Sequence, residues 1–266
     1  MHNTQKQFSG NWALILGGSS GFGFATVEKL ALHGMNIAVL YRETAAAERE
    51  LKQKFTQIAA ANEVTISPFN INALDATARI AFIEQFTKDK KHSVKLLLHS
   101  IARGNLKPLV NDGDKGALTQ EDIQLTTYAM ATSLLDWTKD LLAADLFHAD
   151  GRIIGLTSEG STKYWEGYAA VSIAKASLES LTTYMAVELT KFGLKTNLIQ
   201  AGVTETPSLK RIPDSEKLIA HALARNPSGR ITTPQDVANV IYLLCTDEAA
   251  WINGSVIHVD GGEHCR

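Results

Sequence analysis

Trp12-Ala13-Leu14-Ile15-Leu16-Gly17-Gly18-Ser19-Ser20-Gly21-Phe22-Gly23 runs a short apolar stretch straight into a cluster of glycines. An apolar run that stops at glycines is the pattern of a strand buried on both faces. Residues 23–33 then have helical spacing, with Phe24, Val27, Leu30 and Ala31 on one face and Gly34 at the end. Residues 37–41 form a second apolar run. The glycines therefore sit at the turn of a strand–helix–strand unit. In that context they permit a tight turn and let a phosphate approach the backbone, while the amides opening the helix face the anion.

The same alternation continues outward. Helix patterns at 45–61, 77–87, 120–147 (one or two helices), 169–191 and 234–244 separate strand patterns at 64–69, 95–99, 152–157, 196–200 and 255–259. Repeated strand–helix units predict an α/β fold: a doubly wound parallel sheet of the Rossmann type, in a single domain spanning residues 1–266. Ligands of such sheets bind at the carboxyl ends of the strands, where strand order reverses. Residues 107–120 and 203–229 are rich in Gly, Pro, Asn, Asp and Ser and read as long loops. Long loops at strand ends often serve as lids.

Composition narrows the function. With 266 residues and a net charge of -2, the chain has no electrostatic case for nucleic acid or an anionic membrane. Its two cysteines, Cys245 and Cys265, are too few for a disulfide framework, and Cys245 continues an apolar run as a packing residue. The polar opening residues 1–10 and the short run Trp12–Leu16 do not make a signal core of about 7–15 apolar residues. No run reaches the roughly 18 apolar residues of a membrane span. A soluble cytoplasmic protein without a metal site is expected.

The end of the second strand, Leu40-Tyr41-Arg42-Glu43, bears on which dinucleotide is bound. An acidic residue there binds the ribose hydroxyls of NADH. Arg42 instead suits the 2′-phosphate of NADPH, a charge-assisted contact matched to a guanidinium. NADPH is favoured, with NADH open if Glu43 turns inward.

The spacing Gly17-x3-Gly21-x-Gly23 resembles the short-chain dehydrogenase/reductase family, and Gly229-Arg230, Pro234, Asp236-Val237-Ala238 and Asp260-Gly261-Gly262 extend the resemblance over nearly the whole chain. Ordinary members carry Tyr-x3-Lys, but four positions before Lys175 stands Val171, which has no ionisable group. Tyr168 stands seven positions before Lys175. Together with His99-Ser100-Ile101-Ala102 after the fourth strand, this Tyr-x6-Lys resembles the enoyl-acyl-carrier-protein reductases, in particular their NADPH-using branch. The position of the ordinary tetrad's asparagine falls at Tyr128.

The wider spacing has a chemical reason. Enoyl reduction delivers hydride to the β-carbon, and charge develops on a thioester oxygen several bonds away. The phenol that meets it must stand farther from the nicotinamide. Seven residues on a helix place two side chains on one face roughly 10 Å apart. The resemblance implies that Tyr168 hydrogen-bonds the developing enolate, Lys175 binds the nicotinamide ribose and Ser158 lines the pocket as the third catalytic candidate. Tyr164 is the second-choice phenol, and His99 reads as a satisfied strand-end histidine.

The resemblance also implies that Gly17, Ser19, Ser20, Gly21, Phe22 and Gly23 cradle the dinucleotide phosphates. Asn70, Ile71, Ser100, Ile101 and Ala102 would flank adenine and its ribose. Gly202, with backbone atoms of Val203, would seat the carboxamide, and Thr204 or Thr206 would touch cofactor oxygens. Residues 203–229 would cover the acyl chain with Leu209, Ile212, Leu218, Ile219 and Leu223, while Lys210, Arg211 and Arg225 would attract an acidic carrier protein. Helix 169–191 would pair with a symmetry mate in a homo-oligomer, a dimer or tetramer. The competing expectations are reduction of a carbonyl or of enoyl-CoA, and a non-catalytic dinucleotide sensor.

Overall fold

Successive residues of the first strand face opposite sides of a sheet, so a strand apolar at every position must be covered on both faces. The computed structural model, which describes residues 6–88, 93–111, 116–212 and 214–266, shows this arrangement. Strands β1 (Trp12–Leu16), β2 (Asn36–Tyr41), β3 (Ile66–Asn70), β4 (Val94–His99), β5 (Phe147–Thr157), β6 (Lys195–Ala201) and β7 (Val256–Val259) form one sheet in the order β3-β2-β1-β4-β5-β6-β7. Every adjacent pair is parallel. Ala13 and Ile15 of β1 enter one core with Val27 and Leu30 of α1 (Gly21–Leu32), Leu51 and Phe55 of α2 (Ala45–Asn62), and Val237 and Ile241 of α8 (Pro234–Cys245). Leu14 and Leu16 enter the other, with Phe82 of α3 (Ala76–Thr87), Trp137 of α5 (Ser133–Ala143) and Leu178 of α6 (Ala169–Glu188). Strand order reverses between β1 and β4, which opens the crevice at their carboxyl ends.

Three expectations need correction. The pattern over 120–147 resolves into α4 (Gln120–Thr127), a π-helical turn (Tyr128–Thr132) and α5, after which β5 begins at Phe147, well before 152. Helix α6 ends at Glu188; a 3-10 turn, Thr190–Phe192, follows and closes at Gly193 with φ +77°. Residues 203–229 are not a plain loop: they carry a 3-10 turn (Leu209–Arg211) and α7 (Ser215–Arg225). Only Ala222 of α7 is fully buried, and Leu218 and Ile219 on the same face are partly buried, a short apolar stripe inside a segment that otherwise reads as loop. Of the expected loop 107–120, residues 112–115 lie outside the described residues. Its near end is tied to α4 by the Lys107–Asp122 ion pair (2.8 Å) and by the Asn105 amide, which donates to Thr126 Oγ1 (3.0 Å). Among the described residues no helix is long and apolar enough to cross a membrane.

Candidate active site

At Gly17 the chain turns out of β1 with φ +90°, and an added Cβ would lie 2.4 Å from the Ser100 carbonyl oxygen after β4. Only glycine lets the two strand ends approach this closely. Helix α1 starts just beyond. Its N-cap, Ser20, makes no side-chain capping bond, and its first turn carries no acidic residue. Its orphan amides and the positive end of the helix dipole are thus left for an anion. Gly17, Ser19, Ser20, Gly21 and Phe22 all line a cavity of about 560 Å³ at the switch point. Gly23 stands just behind them: a Cβ there would meet the Gly17 carbonyl oxygen at 2.1 Å, so this glycine lets the helix pack against the strand end.

The cavity runs on past β2 and β4. Arg42, Ile71, Ser100, Ile101 and Ala102 line it, as does Glu43. The Asn70 side chain is engaged at the edge of the cavity. Its amide oxygen accepts from the Glu43 amide (3.0 Å) and its Nδ2 donates to the Glu43 carbonyl (3.0 Å) and to Glu48 Oε2 (3.0 Å). Asn70 therefore staples the turn that presents Arg42. Arg42 itself is exposed, and among the described residues it has no ion pair.

At the far end, Ser158, Tyr168 and Lys175 line the same cavity. Tyr168 is the N-cap residue of α6, and its ring packs beside Met130 and Val171. Gly160 makes room for that ring, since a Cβ there would sit 2.5 Å from Tyr168 Cε1. Burial pushes the phenol's pKa up, opposed by its hydrogen bond with the Ser158 hydroxyl. The same Ser158 oxygen accepts from the Gly160 amide (3.2 Å). Two turns along α6, the Lys175 ammonium is buried and donates to the Leu156 carbonyl (2.7 Å). Burial lowers its pKa to about 8, opposed by the charge of Glu179. Glu179 is in turn fixed by the Thr157 hydroxyl (2.6 Å). Val171, where the ordinary tyrosine would stand, is buried and also lines the cavity.

His99 is 1% exposed and bonds Ser133 Oγ through Nε2 (2.9 Å). Burial, with the nearby Lys175 charge, pushes its pKa down to about 3, so the ring is neutral near pH 7 and structural, as expected. Tyr128 faces away: its hydroxyl donates to Asp136 (3.1 Å) and accepts from Arg79 (3.4 Å), between α3 and α5. Met130, from the same π turn, lines the cavity instead. Tyr164 lines it too, but is 89% exposed.

On the β6 side, Gly202, Val203, Thr204 and Thr206 line the cavity. The Val203 backbone, expected to hold a carboxamide, is engaged by the protein itself. Its amide donates to Glu263 Oε2 (3.4 Å) and its carbonyl accepts from the Thr232 amide (3.2 Å). The Thr204 hydroxyl donates to the Gly202 carbonyl (2.9 Å), while Thr206 Oγ1 accepts from the Leu209 amide (3.2 Å). Leu209, Ile212 and Leu218 line the cavity; Ile219 and Leu223 do not, because α7 turns them elsewhere. Arg225 is not on offer to a partner either, since it is paired with Glu159 (2.8 Å) and Glu263 (3.3 Å). No sequence pattern marks Glu159 and Glu263: each is a single acidic residue in a turn, and the fold brings them to Arg225. Among the described residues no cluster of His, Cys, Asp or Glu is arranged to hold a metal.

This geometry agrees with known proteins. The chain is 31% identical over 185 residues to an enoyl-[acyl-carrier-protein] reductase [NADH] FabI of Aquifex aeolicus, covering 68% of this chain and 66% of that one. It is 28% identical over 257 residues to the 3-oxoacyl-[acyl-carrier-protein] reductase FabG of Escherichia coli, covering 96% and 98%. The crystal structure of the Aquifex aeolicus enoyl-[acyl-carrier-protein] reductase (NADH) superposes with a TM-score of 0.82 at 25% identity over 98% of both chains. The family described as enoyl-(acyl carrier protein) reductase matches residues 17–264. With that match over nearly its full length, the chain belongs to the enoyl-acyl-carrier-protein reductase branch of the short-chain dehydrogenase/reductases, a family of oxidoreductases.

Proposed function

We propose that the protein reduces the carbon–carbon double bond of a trans-2-enoyl thioester carried on acyl carrier protein, using NADPH. One observation carries the reading. Tyr168 and Lys175 line one cavity, whereas the position of a carbonyl reductase's tyrosine holds the buried, apolar Val171. The uncapped start of α1 and the close approach at Gly17 fit a dinucleotide pyrophosphate, and the unpaired Arg42 fits a 2′-phosphate.

When bound, a reduced nicotinamide supplies hydride to the β-carbon of the substrate. Tyr168 donates a hydrogen bond to the thioester oxygen as negative charge develops there. Burial suits this role, because a phenol with a raised pKa stays protonated and remains a donor. Ser158 fixes the phenol's direction. The Lys175 ammonium, near one wall, favours the developing anion and donates to ribose hydroxyls. The α-carbon is then protonated from solvent.

Leu209, Ile212 and Leu218 of residues 203–229 cover the acyl chain. The exposed Arg211 at the cavity's edge and Lys210 beside it meet the acidic carrier. Val187 and Tyr184 of α6, 74% and 64% exposed, form the face that pairs with a second copy in a homo-oligomer. NADH is the second reading for the cofactor, favoured by Glu43 at the cavity wall and by the NADH named for the Aquifex aeolicus relative.

The test follows NADPH absorbance with crotonyl thioesters and with simple ketones. Oxidation only with the enoyl thioesters is expected, and turnover of ketones alone overturns the assignment. Tyr168→Phe should lower kcat by about 10²–10³, the usual effect of losing one oxyanion donor. A full rate in that variant removes Tyr168 from the mechanism.

A further inference from the structure

Arg225 ends α7, the α-helix within residues 203–229, and its side chain crosses back to the body of the protein. One guanidinium nitrogen donates both to Glu159 Oε2 (2.8 Å) and to Glu263 Oε1 (3.3 Å). These carboxylates come from two turns, after β5 and after β7, that both line the cavity. Glu159 follows Ser158, the hydrogen-bond partner of Tyr168, and is held on its other oxygen by Lys163. Glu263 lies under the β6 side: its second oxygen accepts from the Val203 amide (3.4 Å), and a Cβ on Gly202 would meet that oxygen at 2.9 Å. The Glu263 side chain is only 4% exposed. A buried carboxylate needs a counter-charge to stay ionised, and burial already pushes this one's pKa up. Arg225 is the cation that reaches it.

Besides Arg225, the C-cap residue Asn226 ties the same end of α7 to the Asp260 carbonyl (2.8 Å), while the rest of the helix is weakly held. Ala222 is its one fully buried residue, and Asp214 at its start makes no capping bond and sits in the left-handed region (φ 55°). A helix with so little buried apolar surface opens at low free-energy cost unless a specific contact closes it.

We propose that Arg225 is a positioning residue: it latches α7 over the cavity by joining the Glu159 turn to the Glu263 turn. The latch rests on residues 203–229 covering the substrate, as proposed above, but it can be tested without turnover.

Trypsin has sites inside the covering segment at the exposed Lys210, Arg211 and Lys217. In Arg225→Met, cleavage at these sites should accelerate about tenfold relative to cleavage elsewhere in the intact chain. Arg225→Met alone leaves Glu263 buried without its counter-charge and is at risk of misfolding. The double variant Arg225→Met/Glu263→Gln removes both charges; it should keep the wild-type Tm and still show the faster local cleavage. Arg225→Lys, which retains a cation, should fall between. With the enoyl thioester, the double variant should raise KM several-fold and leave kcat close to wild type, because an open cover weakens substrate binding without touching Tyr168 or Lys175. Unchanged cleavage at the three sites in the double variant overturns the latch, as does acceleration that is uniform along the chain. A cleavage effect without enoyl reductase activity retains the latch and removes the substrate assignment.

Discussion

The two ends of the sheet treat charge in opposite ways. At the amino ends, Asp150 gathers Lys95 of β4 (2.7 Å), Arg152 (2.5 Å) and Lys195 of β6. Arg152, 1% exposed, spends its remaining donors on the carbonyls of Leu244 (2.7 Å) and Thr246 (3.3 Å). Each of these charges has its partners inside the protein. At the carboxyl ends, α1 begins uncapped, Arg42 has no ion pair among the described residues, and the buried Lys175 ammonium has one carbonyl partner. Polar groups satisfied from within belong to the fold, and polar groups held unsatisfied are held for a ligand.

The largest expected effect lies at the closed end. Asp150→Ala leaves Arg152 and Lys95 buried without their common counter-charge, which costs about 3–5 kcal/mol. Denaturant melts measure it, and turnover per folded molecule should not change. In the wild type, burial works against ionisation of Asp150, but bonds from Arg152, Lys195 and Lys95 hold its pKa well below the ordinary 3.8. Its contribution is therefore present above about pH 4 and lost as acid takes the pH down toward the folded value. A loss of turnover at unchanged stability would erase the distinction between the two ends.

Lys175→Met should act with the opposite sign. A buried ammonium whose pKa falls from 10.5 to about 8 costs the fold roughly 3 kcal/mol. Removing it also forfeits the bond to the Leu156 carbonyl, about 1 kcal/mol. The variant should be inactive and about 2 kcal/mol more stable near pH 7. Because the penalty is full when both states are protonated and disappears only once the unfolded-state lysine has also lost its proton, the variant's advantage should be complete below pH 8 and fade between pH 8 and 10.5. Melts across that window check the sign; a less stable variant means Lys175 belongs with the structural charges.

How much of this was legible depends on how local each signal is. The βα turn was readable because strand, glycines and helix are consecutive residues. Tyr168 and Lys175 were readable because their spacing lies within one helix start. What Gly23 and Asn70 brace is not legible in the sequence, since it depends on tertiary contacts: the Gly17 carbonyl for one, the Glu43 backbone for the other. The bond from the Val203 amide to Glu263 is likewise not legible, because the two lie sixty positions apart. Helix α7 is masked in the sequence because its stripe, Leu218, Ile219 and Ala222, is short and follows Pro207, Ser208, Pro213 and Asp214, which read as loop. The Asp150 cluster joins three strands that no sequence window spans.

Arg42 sharpens the comparison at the open end. Arg42→Ala should weaken NADPH binding about tenfold, the effect of one charge-assisted contact, while leaving NADH binding unchanged. Stability should not move, because nothing in the fold uses the side chain. Equal losses for both dinucleotides, read by titration of the reduced cofactor's fluorescence, would take Arg42 out of the 2′-phosphate site.

The smallest effect separates two helix starts of the same fold. Thr233 caps α8 in a reciprocal box: it accepts from the Asp236 amide (3.3 Å), and the Asp236 carboxylate accepts from the Thr233 amide (2.9 Å). Thr233→Ala should cost about 1 kcal/mol. Ser20 holds the same position on α1 without making the bond, so Ser20→Ala should stay within about 0.3 kcal/mol of wild type. Dinucleotide affinity should follow the reverse order, falling for Ser20→Ala and holding for Thr233→Ala, since Ser20 lines the cavity and Thr233 does not. If Ser20→Ala destabilises as much as Thr233→Ala, the first helix is capped in solution after all, and its amides are not waiting for a phosphate.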